Sequence, residues 1–157
     1  MPNLRELRRT YGFDEVAIAP GTVTVNPEMT DTSFKLGDVS INIPILGSAM
    51  DAVSNPYFIG KMHEQGALSV MNLEGVQTRY EDPEGVLAEI ANTPNDMVTA
   101  VMQKVYSSPI KEALVGKRVE QIKATGSKCS VSVTPAFTKA YAPQAVEAGA
   151  DMIVVQS

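Results

Sequence analysis

Short apolar segments alternate with helical segments along most of this chain, and this alternation limits the possible folds more than any other feature. Strands are predicted at 43–50, 67–71, 129–133 and 150–155, and helices at 55–66, 83–92, 111–125 and 138–148. Such alternation is typical of βαβ units and a parallel sheet whose strands are buried on both faces. The sequence therefore predicts an α/β fold.

The predicted boundaries also carry the residues that helix ends require. Gly66, Gly126 and Gly149 each follow a helix and precede a strand, and glycine takes the left-handed conformation of a helix C-terminus at little steric cost. Asn55 and Pro56 are suited to the N-cap and the first helical position. The residues at the helix ends therefore support the same helix boundaries as the hydrophobic pattern.

Two stretches lack this rhythm. In the lead-in, residues 1–42, we expect a short amphipathic helix over 1–13, with Leu4 and Leu7 on its apolar side, and a hairpin arm or edge strand over 22–25. Residues 93–110 are also irregular, with a strand expected at 98–103.

Composition excludes several classes of protein. The 13 Lys and Arg against 18 Asp and Glu give a net charge of −5, which does not suit a nucleic-acid-binding surface. No apolar run approaches the roughly 18 residues of a membrane span, and no apolar segment follows the basic N-terminus as in a secretory signal. We therefore expect a cytoplasmic protein without a nucleic-acid or membrane partner.

The low number of Cys and His residues and the absence of two glycine motifs exclude several kinds of site. One Cys and one His exclude an intrachain disulfide framework and a multi-cysteine zinc site, and we predict no metal ligands. Neither a Gly-x-Gly-x-x-Gly nor a Gly-Lys-Ser/Thr motif is present, which excludes the usual dinucleotide and P-loop fingerprints. Cys129 opens a buried strand without a neighbouring His, so a structural role is predicted for it.

Four strands leave three architectures open. They are half of a (β/α)8 barrel, which needs about 250 residues, and a self-contained flavodoxin-like sheet has about five strands. The chain is therefore a fragment of a barrel, a half barrel completed by another chain, or a small open sheet.

Residues 42–54, Asn-Ile-Pro-Ile-Leu-Gly-Ser-Ala-Met-Asp-Ala-Val-Ser, resemble the first barrel strand and loop of the IMP dehydrogenase/GMP reductase family. In that family a Pro and apolar residues precede a Ser and then Met-Asp-x-Val. Weaker likenesses lie at 14–21, 62–72, 133–135 and 148–155, so the resemblance spans 14–157. It implies that 43–157 form strands 1–4, the N-terminal half, of a (β/α)8 TIM barrel.

This chain differs from the usual family pattern in the region after the second helix. The family usually carries a tandem CBS regulatory domain between the second helix and the third strand, and residues 93–110 are too short to hold one. The chain is thus similar to the CBS-lacking branch of the family found in cyanobacteria and actinobacteria.

The family resemblance implies a purine nucleotide oxidoreductase that converts IMP, NAD and water into XMP and NADH. Its cysteine nucleophile, which forms a thioimidate, lies after the sixth strand, so no catalytic residue is expected in this segment. An activating potassium ion is expected to bind outside it, and the protein to form a homo-tetramer or octamer. The alternatives are a GMP reductase and a non-catalytic nucleotide-binding or half-barrel assembly protein.

Six residues at strand ends are candidates for the site, because barrel enzymes place their sites there. The resemblance implies that Ser48 and Met50 contact the substrate, and it favours Asn72 as a third substrate-binding residue. It likewise favours Thr134, Gln156 and Ser157 as NAD-binding residues. Gln156 stands where the family usually has an Asp that contacts the nicotinamide ribose. An amide can still bond a ribose hydroxyl, but without the charge.

Overall fold

The computed structural model describes residues 8–156 and divides into two compact units, one ending at Asp31 and the other starting at Thr32. In the first unit, the only regular element among residues 8–31 is a single 3-10 turn, Pro27–Met29. The hairpin arm or edge strand expected at 22–25 is not found among the described residues of this unit, because the chain bends at residues 22–23 and turns again at Pro27–Met29.

The N-terminal helix expected over 1–13 is also not found in its described part. Residues 8–12 are irregular and a turn follows at 13–14, in a stretch where Thr10 and Gly12 favour helix weakly. Leu4 and Leu7 lie outside the described residues.

The second unit contains a small hairpin, a parallel sheet and six helices. The strands are β1 Phe34–Leu36, β2 Val39–Ile41, β3 Leu46–Gly47, β4 Leu68–Asn72, β5 Ser130–Val133 and β6 Met152–Val155; the helices are α1 Pro56–Glu64, α2 Val76–Arg79, α3 Pro83–Ala91, α4 Val98–Ser107, α5 Glu112–Ala124 and α6 Pro135–Glu147. β1 and β2 are antiparallel, and the other strands form a parallel sheet in the order β3-β4-β5-β6. The predicted α/β fold with a parallel sheet is confirmed.

Helix ends follow the predicted chemistry. Oδ1 of Asn55 accepts a hydrogen bond from the backbone N–H of Phe58 at 2.8 Å, with Pro56 at the first helical position. Gly66, Gly126 and Gly149 have φ values of +78°, +83° and +99°, the left-handed region that glycine adopts most easily.

The segment 93–110 differs from the prediction. The strand expected at 98–103 is part of helix α4. Val98 and Val101 are half-buried and Val105 is buried, a spacing of three and four residues that belongs to one face of a helix. The valine-rich composition favours a strand, but the side that the chain buries has helical periodicity.

The core lies between the sheet and the helices. Met71, Val131 and Ile153 are register partners on adjacent strands and pack with α5 residues, including Val119 and Ile122. On the other face of the sheet, Leu68 and Met152 pack with Val39 and Ile41 of the hairpin. The hairpin therefore covers the N-terminal end of this inner face. No helix within residues 8–156 is long and apolar enough to cross a membrane.

Candidate functional site

The C-terminal ends of the four parallel strands bring the predicted site residues to one edge of the sheet. Ser48 follows β3, Asn72 ends β4, Thr134 follows β5 and Gln156 follows β6. The backbone N–H of Gln156 donates to the carbonyl of Val133 at 3.0 Å, which continues the strand pairing and makes Thr134 and Gln156 neighbours. Side chains alternate along a strand, so these four positions share the face on which Leu68 and Met152 lie.

These side chains are accessible. Ser48, Met50 and Gln156 are exposed, and Asn72 and Thr134 are half-buried. Within residues 8–156, the hydroxyls of Ser48 and Thr134 and the amide of Gln156 have no protein hydrogen-bond partner. They are therefore free to bind a ligand. Ser157, also predicted to bind NAD, lies outside the described residues.

Glu74 links two of these strand ends, and the sequence pattern did not single it out. Its backbone N–H donates to Oδ1 of Asn72 at 2.9 Å, and its Oε1 accepts from the backbone N–H of Thr134 at 2.5 Å. Nε of Arg79 donates to the Glu74 carbonyl at 3.0 Å. A hydrogen bond to a carboxylate is stronger than one between neutral groups, so Glu74 fixes Asn72 relative to Thr134.

Asp51 forms a second junction at the same edge. Its Oδ2 accepts from the backbone N–H of Val76 at 3.1 Å and from the hydroxyl of Tyr106 at 2.5 Å. Its Oδ1 is buried and has no partner among the residues that the structure describes. A Cβ added at Gly75 would overlap this carboxylate, so the close approach of the two loops requires glycine there.

Tyr106 is held by its surroundings as well as by Asp51. The guanidinium of Arg79 lies 5.9 Å from the centre of its ring. Burial, together with the hydrogen bond to the Asp51 carboxylate and its charge, raises the pKa of Tyr106 well above its ordinary value of 10.0, against the opposing charge of Arg79. The phenol therefore keeps its proton and acts as a donor at neutral pH.

Neither the one cysteine nor the cavity beside the hairpin is part of the candidate site. Cys129 is fully buried, and burial raises the pKa of its thiol to about 12, which removes the thiolate that nucleophilic chemistry needs. A cavity of about 210 Å³, lined by Ser40, His63 and Lys128 among others, lies near the hairpin. In the chain from residue 8 to 156, no group of three or more His, Cys, Asp or Glu side chains could hold a metal ion.

The chain is similar to proteins of one family along nearly its whole length. The profile described as the IMP dehydrogenase / GMP reductase domain matches residues 10–157. An uncharacterized oxidoreductase of Mycolicibacterium smegmatis is 31% identical, over 97% of this chain and 42% of that protein. An inosine-5'-monophosphate dehydrogenase of Staphylococcus epidermidis is 32% identical over 113 residues, or 70% of this chain and 22% of that protein.

The fold points to the same relatives. The crystal structure of an IMP dehydrogenase/GMP reductase-like protein from Corynebacterium glutamicum superposes with a TM-score of 0.85 and 28% sequence identity, covering 98% of this chain and 42% of that one. The chain thus spans less than half the length of these relatives. The parallel βα units, the alignment of strand ends and the matched sequence agree: this chain belongs to the IMP dehydrogenase/GMP reductase family, and its sheet is part of that family's barrel.

Proposed function

We propose that this chain supplies the first half of the catalytic barrel, residues 43–157, of an oxidoreductase that converts IMP, NAD and water into XMP and NADH. The observation that carries the proposal is the meeting of Ser48, Asn72, Thr134 and Gln156 at one edge of the sheet. The ends of the strands at this edge are where barrel enzymes bind and transform their substrates.

On the substrate side, the groups present suit a purine nucleotide. The hydroxyl of Ser48 can donate to or accept from a base or a ribose, and the amide of Asn72 can do the same. Met50 is 54% exposed, and its thioether offers a polarizable apolar surface to the flat face of a purine. In this proposal Ser48 and Asn72 orient the nucleotide and Met50 packs against its ring.

On the other side, the groups fit the ribose of NAD. Thr134 and Gln156 are neighbours at the ends of adjacent strands. Their hydroxyl and amide have no partner within residues 8–156, and both groups match ribose hydroxyls. NAD, when bound, supplies the acceptor for the hydride of the purine. The residues of this chain would orient the dinucleotide, while the cysteine nucleophile and the potassium site would come from outside the segment.

The same family membership supports a homo-tetramer or octamer acting in the cytoplasm. The shortness of residues 93–110, where α4 lies, supports a barrel half with no CBS regulatory domain inserted there. Size-exclusion chromatography with light scattering of the complete protein is expected to show such an assembly. A monomer at micromolar concentration would contradict this part of the proposal.

The reaction is tested by supplying the complete protein with IMP and NAD and following NADH absorbance, with XMP identified by chromatography. The family description covers GMP reductase as well, so GMP with NADPH is the parallel assay. NADH formation that depends on IMP supports the proposal. Oxidation of NADPH with GMP alone would make the protein a reductase, and binding of IMP without turnover would make it a non-catalytic nucleotide-binding protein.

A further inference from the structure

Helix α4 reaches the loop that carries two of the candidate nucleotide contacts. The hydroxyl of Tyr106, near the end of α4, donates to Oδ2 of Asp51 at 2.5 Å. Asp51 directly follows Met50 and lies three residues after Ser48. The two partners are 55 residues apart in sequence, so this contact joins two separate parts of the chain at the candidate site.

The loop after β3 is a tight turn, and movement of Asp51 would displace its neighbours. The backbone N–H of Met50 donates to the carbonyl of Ser48 at 2.8 Å, and the N–H groups of Val53 and Ser54 donate to the carbonyl of Met50 at 2.9 and 2.8 Å. The side chains of Ser48 and Met50 have no protein hydrogen bond of their own among the described residues. Within the turn 48–51, Asp51 is thus the residue whose side chain hydrogen-bonds to other elements, through Val76 and Tyr106.

The end of α4 is held in place by burial and by hydrogen bonds. Val105 is buried, and its carbonyl accepts a hydrogen bond from the hydroxyl of Tyr80 at 2.9 Å. The same hydroxyl lies 2.7 Å from Oγ of Ser108, and the guanidinium of Arg79 donates to the carbonyl of Ser108. The residues on both sides of Tyr106 are thus bonded to the segment that follows β4.

We propose that Tyr106 is a positioning residue of the nucleotide site: by donating to Asp51, it holds the turn 48–51 in the orientation that presents Ser48 and Met50 to the bound purine nucleotide. This inference rests on the proposed function and extends it to a residue that does not touch the ligand. The bond is charge-assisted, which makes it stronger than a neutral surface contact.

The first experiment compares Tyr106→Phe with Tyr57→Phe in the complete protein. Tyr57 is an exposed tyrosine of α1, six residues after Asp51. Its hydroxyl makes no hydrogen bond within the described chain, so Tyr57→Phe serves as the matched control. Loss of the hydroxyl at Tyr106 is expected to raise the Kd for IMP, measured by calorimetry, and the KM for IMP by about five- to tenfold. The kcat at saturating IMP should change by less than about twofold, because a misplaced turn weakens nucleotide binding before it affects the chemistry.

A second readout follows the turn itself without any ligand. Hydrogen exchange over residues 48–54 should be faster in Tyr106→Phe than in the wild type and unchanged in Tyr57→Phe. Because Tyr106 acts through Asp51, adding Tyr106→Phe to Asp51→Ala, which removes the acceptor, should weaken IMP binding no further than Asp51→Ala alone. Unchanged exchange, an unchanged Kd, or additive effects of the two substitutions would each overturn the inference.

The outcomes separate this inference from the proposed reaction. A wild type that binds IMP without oxidising it contradicts the dehydrogenase, yet Tyr106→Phe must still weaken binding for the inference to stand. A wild type that turns over IMP, with Tyr106→Phe indistinguishable from it, supports the reaction and refutes the role of Tyr106. A wild type that binds neither IMP nor GMP contradicts both.

Discussion

At the scale of single residues, Ser48 is an exposed donor at the sheet edge with no protein partner in the described chain. We expect Ser48→Ala to raise the KM for IMP by about two- to tenfold, because one hydrogen bond to the nucleotide is worth roughly 0.5–1.5 kcal/mol. Steady-state kinetics of the complete protein test this. Ser40→Ala, an exposed serine of the hairpin, is the control, and equal kinetics for Ser48→Ala and wild type would remove Ser48 from the site.

Glu74 allows a prediction on the other side of the edge. Its carboxylate accepts from the backbone of Thr134, and Glu74→Gln replaces a charge-assisted bond with a weaker neutral one. We expect the KM for NAD to rise about three- to tenfold, with a smaller change for IMP. The control is Glu64→Gln on α1, whose partner is Lys61. A rise in both KM values by the same factor would mean that Glu74 serves general stability rather than the NAD side.

Two glycines form a matched pair for stability. At Gly75 a Cβ would overlap the Asp51 carboxylate, whereas at Gly116, inside α5, it would meet Ala148 Cβ at an ordinary 3.8 Å. Gly75→Ala should lower the free energy of unfolding by about 1–3 kcal/mol, and Gly116→Ala should raise it by up to about 1 kcal/mol through helix propensity. Urea denaturation checks both, and a neutral Gly75→Ala would show that Asp51 moves freely.

At the scale of elements, Asp151 ties β6 to its surroundings. Burial alone would raise the pKa of this carboxyl, but Lys123, the backbone N–H of Cys129 and Lys128 together hold it below its ordinary value of 3.8. A lowered native pKa stabilises the fold above pH 3.8, and this contribution is lost as the pH falls through the native value.

Asp151→Asn should therefore lower the free energy of unfolding at neutral pH by about 1 kcal/mol, after allowance for solvent screening. The difference from wild type should disappear in acid, where the native carboxyl is protonated. Chemical denaturation at neutral and acidic pH measures it, with exposed Asp96→Asn as the control. A difference that persists undiminished in acid would assign the effect to packing.

The elements that the sequence predicted are those with local signals. The parallel strands are short apolar runs, and the helix between β3 and β4 has Asn55, Pro56 and Gly66 at its ends. Helix α4 is predicted as a strand because valine favours strands, and the three valines indicate a helix only through their spacing. The hairpin β1–β2 is not predicted because three-residue strands give little periodicity, although Gly37 marks its turn.

The candidate site likewise has residues that the sequence predicts and contacts that it does not. Ser48, Asn72, Thr134 and Gln156 could be named from their positions after strands, since parallel topology brings such positions together. The contacts of Glu74 with Thr134 and of Tyr106 with Asp51 span 60 and 55 residues. No local pattern encodes such pairings; they arise only when the helices have packed.

At the scale of the whole molecule, stability should fall in strong alkali. Burial raises the pKa of Cys129 from its ordinary 9.0 to about 12, so the native state keeps a proton that the unfolded chain releases. The contribution of the neutral thiol is complete below pH 9.0 and is lost as the pH rises toward 12. The free energy of unfolding, measured by denaturation across this range, should fall less steeply in Cys129→Ala than in the wild type; parallel curves would contradict this.

The hairpin over Leu68 and Met152 has a consequence for access to the inner face. It covers the N-terminal end of this face, whereas Ser48, Asn72, Thr134 and Gln156 lie at the C-terminal end of the strands. In the part of the chain that the structure describes, the uncovered end is therefore the one that carries the candidate site. In the proposed oxidoreductase, a bound product would occupy the same opening that the next reactant must enter.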